Sequence, residues 1–188
     1  MTEFRRLAIA EVIEITPPKF GDHRGFFSEV FKRTAFEAEG IEIDWLQDNQ
    51  SFSAEVGTVR GLHFQAAPFA QAKLIRVLRG AIFDVAVDLR RGSPSYGQSV
   101  AVELSSDKWN QLLIPVGFAH GFMTLTPDVE VLYKVSAPWA PESEGALRWD
   151  DPDLGIDWPR PGDAILSEKD AVAPLFSDFD TPFAYEAV

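Results

Sequence analysis

The sequence predicts a mainly β protein, folded as a closed or nearly closed antiparallel barrel with a few short helices. Strand-like alternation of apolar and polar residues recurs along the chain, Gly-, Pro- and Asp-containing turns separate the segments, and helix signals are confined to two short stretches. This spacing is typical of a sandwich or a barrel. Closure is favoured because an open sheet of so many strands would expose unpaired edges.

Eight segments carry the strand pattern. In residues 81–89, for example, Phe83, Val85 and Val87 fall on one face, while Asp84 and Asp88 fall on the other. The predicted strands are residues 7–15, 26–32, 58–65, 73–79, 81–89, 99–105, 111–115 and 130–136.

The helix signals are capping patterns. Thr34 precedes Glu37 by three residues, as in a capping box, and Gly40 follows as a stop. Ser167 precedes Asp170 by the same interval. A role in the capping box alone would explain an aspartate at position 170, without any catalytic role.

Length, charge and composition exclude several classes of protein and of binding partner. The 188 residues fit a single domain, and the lack of cysteine excludes disulfides and thiolate metal sites. A net charge of -12 argues against binding to nucleic acid or an anionic membrane. The sequence contains no signal-peptide core and no apolar run of the ~20 residues that span a bilayer. We therefore expect a soluble, cytoplasmic protein with no nucleic-acid or membrane partner.

The three histidines do not form a metal-binding pattern. β-Barrels that hold a metal usually offer two histidines one residue apart, whereas Gln65 follows His63 at that spacing, and His23 and His120 lie far away in sequence. Phosphate-binding glycine loops and the serine nucleophile elbow are also missing. We expect neither a metal nor a cofactor.

General acid–base chemistry remains, and five polar residues lie within apolar strand segments. They are Arg60, His63, Lys73, His120 and Tyr133. Each also has an ordinary structural explanation, such as a hydrogen-bonded core histidine or a tyrosine at a barrel rim. Arg60 and His63 are three residues apart, so a regular strand points them to opposite faces. If both line one cavity, the strand must bulge near Gly61.

Eight stretches in fixed order then carry a resemblance to a known family. They are "DHRGFFSEVF" (22–31), "QDNQSFS" (47–53), "VRGLHFQ" (59–65), "KLIRVLRGAIFDVAVDLRRGSPSYG" (73–97), "IPVGFAHGF" (114–122), "YKVSAPWAPESEG" (133–145), "WDDPDLGIDWP" (149–159) and "LSEKD" (166–170). Together they resemble the dTDP-4-dehydrorhamnose 3,5-epimerases of dTDP-L-rhamnose synthesis. Any one stretch alone is a weak signal, but eight in order are highly specific.

The resemblance implies a cupin-like jelly-roll barrel over about residues 7–136, with the C-terminal segment 137–188 packed on it and contributing Asp170. It also implies a homodimer, a dTDP-4-dehydro-6-deoxy-D-glucose substrate and no cofactor. By the resemblance, His63 is the general base, Asp170 orients it, Tyr133 is the acid on the opposite face and Lys73 stabilises the enolate. The resemblance further assigns a group that lines the substrate site: Arg24, Phe27, Glu29, Gln47, Asp48, Asn49, Arg60, His120, Trp139, Glu144 and Lys169.

The resemblance also implies that Arg24 and Glu29 reach across the dimer to the neighbour's site. Three other functions remain open at this point. Related enzymes epimerise only carbon 3 or only carbon 5 of such sugars. The other two alternatives are a non-catalytic barrel that binds a sugar nucleotide and a metal-dependent oxygenase.

Overall fold

The computed structural model describes residues 1–159, 162 and 164–186, and this part of the chain folds into two facing antiparallel sheets and a small hairpin. The first sheet has six strands in the order β1 (Glu3–Arg6), β2 (Ile13–Thr16), β10 (Gln111–Ile114), β7 (Lys73–Arg79), β12 (Val129–Val135) and β5 (Gln47–Ser53). The second has five, in the order β13 (Glu144–Ala146), β6 (Val59–Gln65), β11 (Phe118–Thr124), β8 (Ala81–Asp88) and β9 (Ser99–Ser105). The hairpin pairs β3 (Phe20–Asp22) with β4 (Gly25–Phe27).

Apolar side chains pack in three layers. The inner layer joins the two sheets through residues such as Ile75, Val131 and Phe122. The outer face of the five-stranded sheet is covered by the C-terminal segment, including Trp149 and Trp158. On the six-stranded sheet, a third cluster packs beneath α1 (Arg33–Glu37). Because both faces of the central strands are covered, those strands are apolar almost throughout.

Strand β6 is irregular, as the sequence requires if Arg60 and His63 share a face. His63 pairs with His120 and Arg60 pairs with Phe122, so Gly61 and Leu62 both lie opposite Gly121. This two-against-one arrangement is a β-bulge. Gly61 has φ +121, in the region that favours glycine. The predicted irregularity is confirmed.

Six of the eight predicted strands are confirmed within one residue or so at each end, and two are wrong. Residues 7–15 contain a tight turn in which Val12 N donates to Ile9 O, so the chain forms the β1–β2 hairpin instead of one strand. In residues 26–32, strand pairing ends at Phe27. Strands β5 and β11 were missed: β5 is mostly polar, and β11 is buried on both faces without visible alternation.

The two capping predictions had different outcomes. The Thr34–Glu37 capping box is wrong, because α1 has Lys32 as its N-cap and no side-chain capping bond. The Ser167 cap is confirmed: in α2 (Glu168–Ala171) its hydroxyl accepts from Asp170 N at 3.1 Å. Short 3₁₀ turns occupy Pro141–Ser143 and Phe176–Asp178.

The C-terminal segment is integrated with the barrel through β13, which pairs with β6. The proposed division at residues 136 and 137 stays a prediction, and positions 160, 161, 163, 187 and 188 of the segment lie outside the described residues. Within the described ranges, no helix is long and apolar enough to cross a membrane. The expected cytoplasmic location stays a prediction.

We predict that Gly61→Ala is strongly destabilising. The added Cβ would lie 2.6 Å from both Gly121 Cα and His120 O, and alanine is strained at φ +121. We expect a loss of about 3 kcal/mol in the free energy of unfolding, measured by urea denaturation. Gly92→Ala is the control, because Gly92 also has positive φ but open space around it, and should lose only about 1 kcal/mol. Equal losses would contradict the role of close packing at the bulge.

Candidate active site

A cavity of about 420 Å³ opens between the two sheets at one end of the barrel. It is lined by Ser51, Thr58, Val59, Arg60, His63, Lys73, His120, Phe122, Tyr133, Ile165, Leu166, Ser167, Lys169 and Asp170. A side lobe of about 190 Å³ shares His63, Lys73 and Tyr133 with it and extends to Asn49 and Trp139. The inward-facing side chains therefore change from apolar in the barrel core to polar at this end.

His63 and Asp170 form a hydrogen-bonded pair at the cavity wall. Nε2 of His63 lies 2.6 Å from Oδ1 of Asp170, whose side chain is 4% exposed. Burial raises the pKa of Asp170, but the hydrogen bond and charge interaction with His63 outweigh it and hold the pKa below its ordinary value. With Nε2–H donating to this carboxylate, Nδ1 of His63 remains as the proton acceptor.

Tyr133 faces the cavity from the other sheet. It lies on β12 of the six-stranded sheet, whereas His63 lies on β6 of the five-stranded sheet, and both line the cavity and its side lobe. Burial raises the pKa of Tyr133, so the phenol keeps its proton at neutral pH. A ligand between the sheets would therefore meet a base on one side and an acid on the other.

Lys73 begins β7 next to this pair. Its Nζ lies 3.4 Å from the carbonyl oxygen of His63, and the residue is 9% exposed. Burial lowers its pKa from 10.5 to about 8, while the charges of Asp84 and Glu144 act in the opposite direction. A nearly desolvated ammonium group of this kind stabilises negative charge that develops on a ligand.

A second histidine–carboxylate pair lies deeper in the barrel. His120 Nε2 is 2.7 Å from Oδ1 of Asp84, which is completely buried on β8. Burial lowers the pKa of His120, and Asp84 partly counteracts that effect. Among the described residues, no three His, Asp or Glu side chains are grouped so that they could hold a metal ion.

Further charged groups lie around the mouth of the cavity. Arg60 donates to Ser53 Oγ at 3.1 Å and to Phe52 O at 2.9 Å, which fixes its guanidinium at the wall. Lys169 pairs with Glu144 at 2.5 Å. Together with Lys73, Arg60 and Lys169 place three cationic groups at the cavity wall, although the protein's net charge is -12.

The side lobe is shaped by amide side chains. Gln47 Nε2 donates to Asn49 Oδ1 at 2.7 Å, and Gln47 Oε1 accepts from Trp139 N at 3.3 Å. Gln65 donates to Phe69 O and Pro138 O and accepts from Ala140 N. It therefore holds the segment around Trp139, which leaves that indole 60% exposed beside the lobe.

Four residues assigned by the resemblance lie elsewhere in this chain. Alternation along β5 places Asp48 on the face opposite Asn49, where its carboxylate pairs with Lys134 at 2.9 Å, and its place in the substrate site stays a prediction. Arg24 pairs with Asp22 on the β3–β4 hairpin. Glu29 pairs with Lys32 at 3.3 Å, and Phe27 is 66% exposed on the same arm.

Sequence reasoning did not include Ser51, Gln65 or Asp84 in the site. Ser51 lies on β5, which the strand pattern missed. Gln65 was noted only as the residue that breaks a metal motif. The signal for Asp84 was present, because a carboxylate in the apolar run 81–89 requires a buried partner.

With the site described, comparison with known proteins decides the family. A family profile described as dTDP-4-dehydrorhamnose 3,5-epimerase matches residues 6–178. The chain belongs to this family. A curated dTDP-4-dehydrorhamnose 3,5-epimerase from Sinorhizobium fredii is 53% identical over 185 residues, which cover 98% of this chain and 95% of the relative. The chain is accordingly an isomerase.

Solved structures agree with this membership. The Legionella pneumophila dTDP-6-deoxy-D-glucose-3,5-epimerase, in complex with dTDP-4-keto-L-rhamnose, has a TM-score of 0.95 and 42% identity and covers 100% of both chains. A 3′-monoepimerase from Streptomyces bikiniensis in complex with dTDP-quinovose has a TM-score of 0.84 and 34% identity and covers 91% of this chain and 86% of that one. The fold is the cupin-like jelly roll expected from the sequence.

We predict that Lys73→Met increases stability at neutral pH. Since burial lowers the pKa of Lys73 from 10.5 to about 8, the unfolded chain binds more protons between these values, and stability rises with pH across that window. Below about pH 8, the folded protein bears the full cost of burying the Lys73 charge, about 3 kcal/mol of stability. Methionine avoids this cost. Urea denaturation should show this gain at pH 7 and its loss towards pH 10.5. Lys134→Met, at an exposed ion pair, is the control and should change stability by less than about 1 kcal/mol at every pH. If the two variants changed stability equally, the lowered pKa of Lys73 would be contradicted.

Proposed function

We propose that this chain converts dTDP-4-dehydro-6-deoxy-D-glucose to dTDP-4-dehydro-L-rhamnose by inverting carbons 3 and 5, without a cofactor, in dTDP-L-rhamnose synthesis. The observation that carries the proposal is the placement of His63 and Tyr133 on opposing sheets, with Lys73 beside them. The family supports the same reaction, and the Legionella relative was solved with dTDP-4-keto-L-rhamnose.

The chemistry follows from the ketone at carbon 4. Carbons 3 and 5 both flank it, so removal of a proton from either gives an enolate. Nδ1 of His63 takes that proton, and Asp170 stabilises the imidazolium and fixes the ring. The Lys73 ammonium stabilises the enolate oxygen. Tyr133 donates a proton to the opposite face of the carbon, and solvent then restores both groups. A single side chain that acted as both base and acid would return the proton to the face from which it was removed, and the centre would not be inverted.

Recognition of the nucleotide is divided between the two parts of the cavity. We propose that Arg60 and Lys169 bind the diphosphate, since both are cations at the cavity wall. Trp139 offers an exposed aromatic face beside the side lobe for the thymine ring, and Gln47 and Asn49 offer amide groups for hydrogen bonds. His120 and Glu144 complete the lining around the sugar.

The deciding experiment is proton NMR of the dTDP-4-keto sugar with this protein in deuterated water. Double epimerisation should replace the protons at carbons 3 and 5 with deuterium and invert both centres. Deuterium at carbon 3 alone would instead support the single-carbon alternative, which the likeness to the Streptomyces 3′-monoepimerase favours. No exchange at either carbon would contradict the proposed function.

Two variants separate the base from the acid in the same assay. His63→Ala should abolish exchange, because proton removal needs the base. Tyr133→Phe should still exchange deuterium through His63 but should form product at least ~10²-fold more slowly, because the opposite face receives no proton. Tyr96→Phe, which changes a tyrosine packed on Phe176 away from the cavity, is the control and should behave as the unchanged protein does.

We also propose that the β3–β4 hairpin serves the site of a second copy in a homodimer. The hairpin extends from the barrel with Phe20, Phe26 and Phe27 between 55% and 66% exposed, which an isolated chain would leave in water. Arg24 and Glu29 lie on the same arm. Within one chain, neither is part of the described lining of the cavity or its side lobe.

Mixed dimers test this arrangement. Arg24→Ala and His63→Ala chains should each be inactive alone, but co-expression with two affinity tags should give mixed dimers with one intact site. Purification through both tags isolates the mixed dimers, and because one of their two sites is intact, their activity should be about half of the unchanged level. If the arm served its own chain, mixed dimers would have no intact site and would stay inactive.

A further inference from the structure

Asp84 is a completely buried carboxylate with an unsatisfied oxygen. Its Oδ1 is bonded to His120 Nε2 at 2.7 Å, while Oδ2 has no hydrogen-bond partner among the described residues. Leaving a buried polar atom unpaired destabilises the fold, and more so when the group is charged. The residue lies on β8 and points inward beneath the cavity, so its cost to the fold calls for a compensating role in the site.

The cation that experiences this buried charge is Lys73. His120 lies between the two groups: its ring bonds to Asp84, and its strand pairs at that position with His63, whose carbonyl oxygen lies 3.4 Å from Lys73 Nζ. The negative charge of Asp84 therefore opposes the effect of burial on Lys73. Charged and titratable groups surround Lys73 from six elements. Seven line the cavity or its side lobe, and they are Arg60 and His63 on β6, His120 on β11, Tyr133 on β12, Glu144 on β13, and Lys169 and Asp170 on α2. Asp84 on β8 lies behind His120. Three of them are carboxylates. Asp170 is bonded to His63 and Glu144 is paired with Lys169, which leaves Asp84 as the one with a buried, unpartnered oxygen among the described residues.

We propose that Asp84 is a positioning residue that keeps Lys73 in its charged ammonium form while the enolate is formed. The inference rests on the enolate-stabilising role proposed for Lys73. Without a buried counter-charge, an ammonium group this poorly solvated loses its proton near neutral pH, and a neutral amine no longer stabilises the enolate by charge. With one oxygen fixed on His120, Asp84 stays in place and its free oxygen keeps the local potential negative.

The test is Asp84→Asn, which keeps the shape of the side chain and removes its charge. Carbon-13 NMR of labelled lysine, with the Lys73 signal assigned by Lys73→Arg, follows ionisation of Lys73 in the protein without substrate. We expect its midpoint to move to lower pH by about one unit or more. The alkaline limit of the epimerase activity should move in the same direction, so that lowering the pH restores activity to the variant.

Asp88→Asn is the matched control. Asp88 lies four residues further along the same strand, is also completely buried, and is bonded to Arg90, Ser93 and Ser95. We expect this variant to lose stability without moving the Lys73 midpoint. An unchanged midpoint in Asp84→Asn, or an equal shift in Asp88→Asn, would overturn the proposal.

A second variant does not depend on the folding of Asp84→Asn. Asp84→Glu keeps the negative charge, so its Lys73 midpoint should stay closer to that of the unchanged protein than the midpoint of Asp84→Asn does. A Lys73 midpoint that falls as far in Asp84→Glu as in Asp84→Asn would also overturn the proposal. Both titrations are independent of turnover. If they succeed with a protein that does not act on the dTDP-4-keto sugar, the proposed function fails and the electrostatic coupling stands.

Discussion

The bulge at Gly61 is the constraint on which the site depends. A regular β6 would direct Arg60 and His63 to opposite faces, one into the cavity and the other into the apolar layer beneath the C-terminal segment. The extra residue restores both side chains to the cavity while Val59, Leu62 and Phe64 stay in that layer. The amide of Gly61 also lies 3.5 Å from Oδ2 of Asp170, so the bulge lies against the carboxylate that orients His63.

The two-sheet architecture then provides what an inversion needs. Side chains that face inward from opposing sheets approach a flat ligand from opposite sides, and no mobile element is required to bring them there. His63 on β6 and Tyr133 on β12 have this relation, and each belongs to a strand that is paired on both sides. Strands held on both sides are the most rigid positions a sheet offers, and the geometry of proton transfer depends on such rigidity.

The sequence predicts the regular parts of this molecule better than the functional ones. Residues 99–105 alternate clearly, residues 73–79 form a largely apolar run, and both form strands with those bounds. Strand β5 was missed because its inward residues are polar, so its alternation is not visible as an apolar pattern. Of its residues 48 and 49, only Asn49 lines the side lobe. The pairing of His63 with Asp170, 107 positions apart, follows from the resemblance and from the fold, since no local pattern links two such distant residues.

Charge in the barrel is organised by depth. At the mouth, Glu144 and Lys169 form a partly exposed pair that salt screens and that contributes little to stability. Deeper, Lys73 lines the cavity and Asp84 lies behind His120; both are buried, so their charges are poorly screened and come at a cost to folding. A purely structural barrel would replace them with apolar residues, as it does a few residues further along, where Ile75 and Ala86 pack in the inner layer. The buried charges are therefore best understood as parts of the reaction site, because only the stabilisation of a charged intermediate gives them a role that offsets their cost.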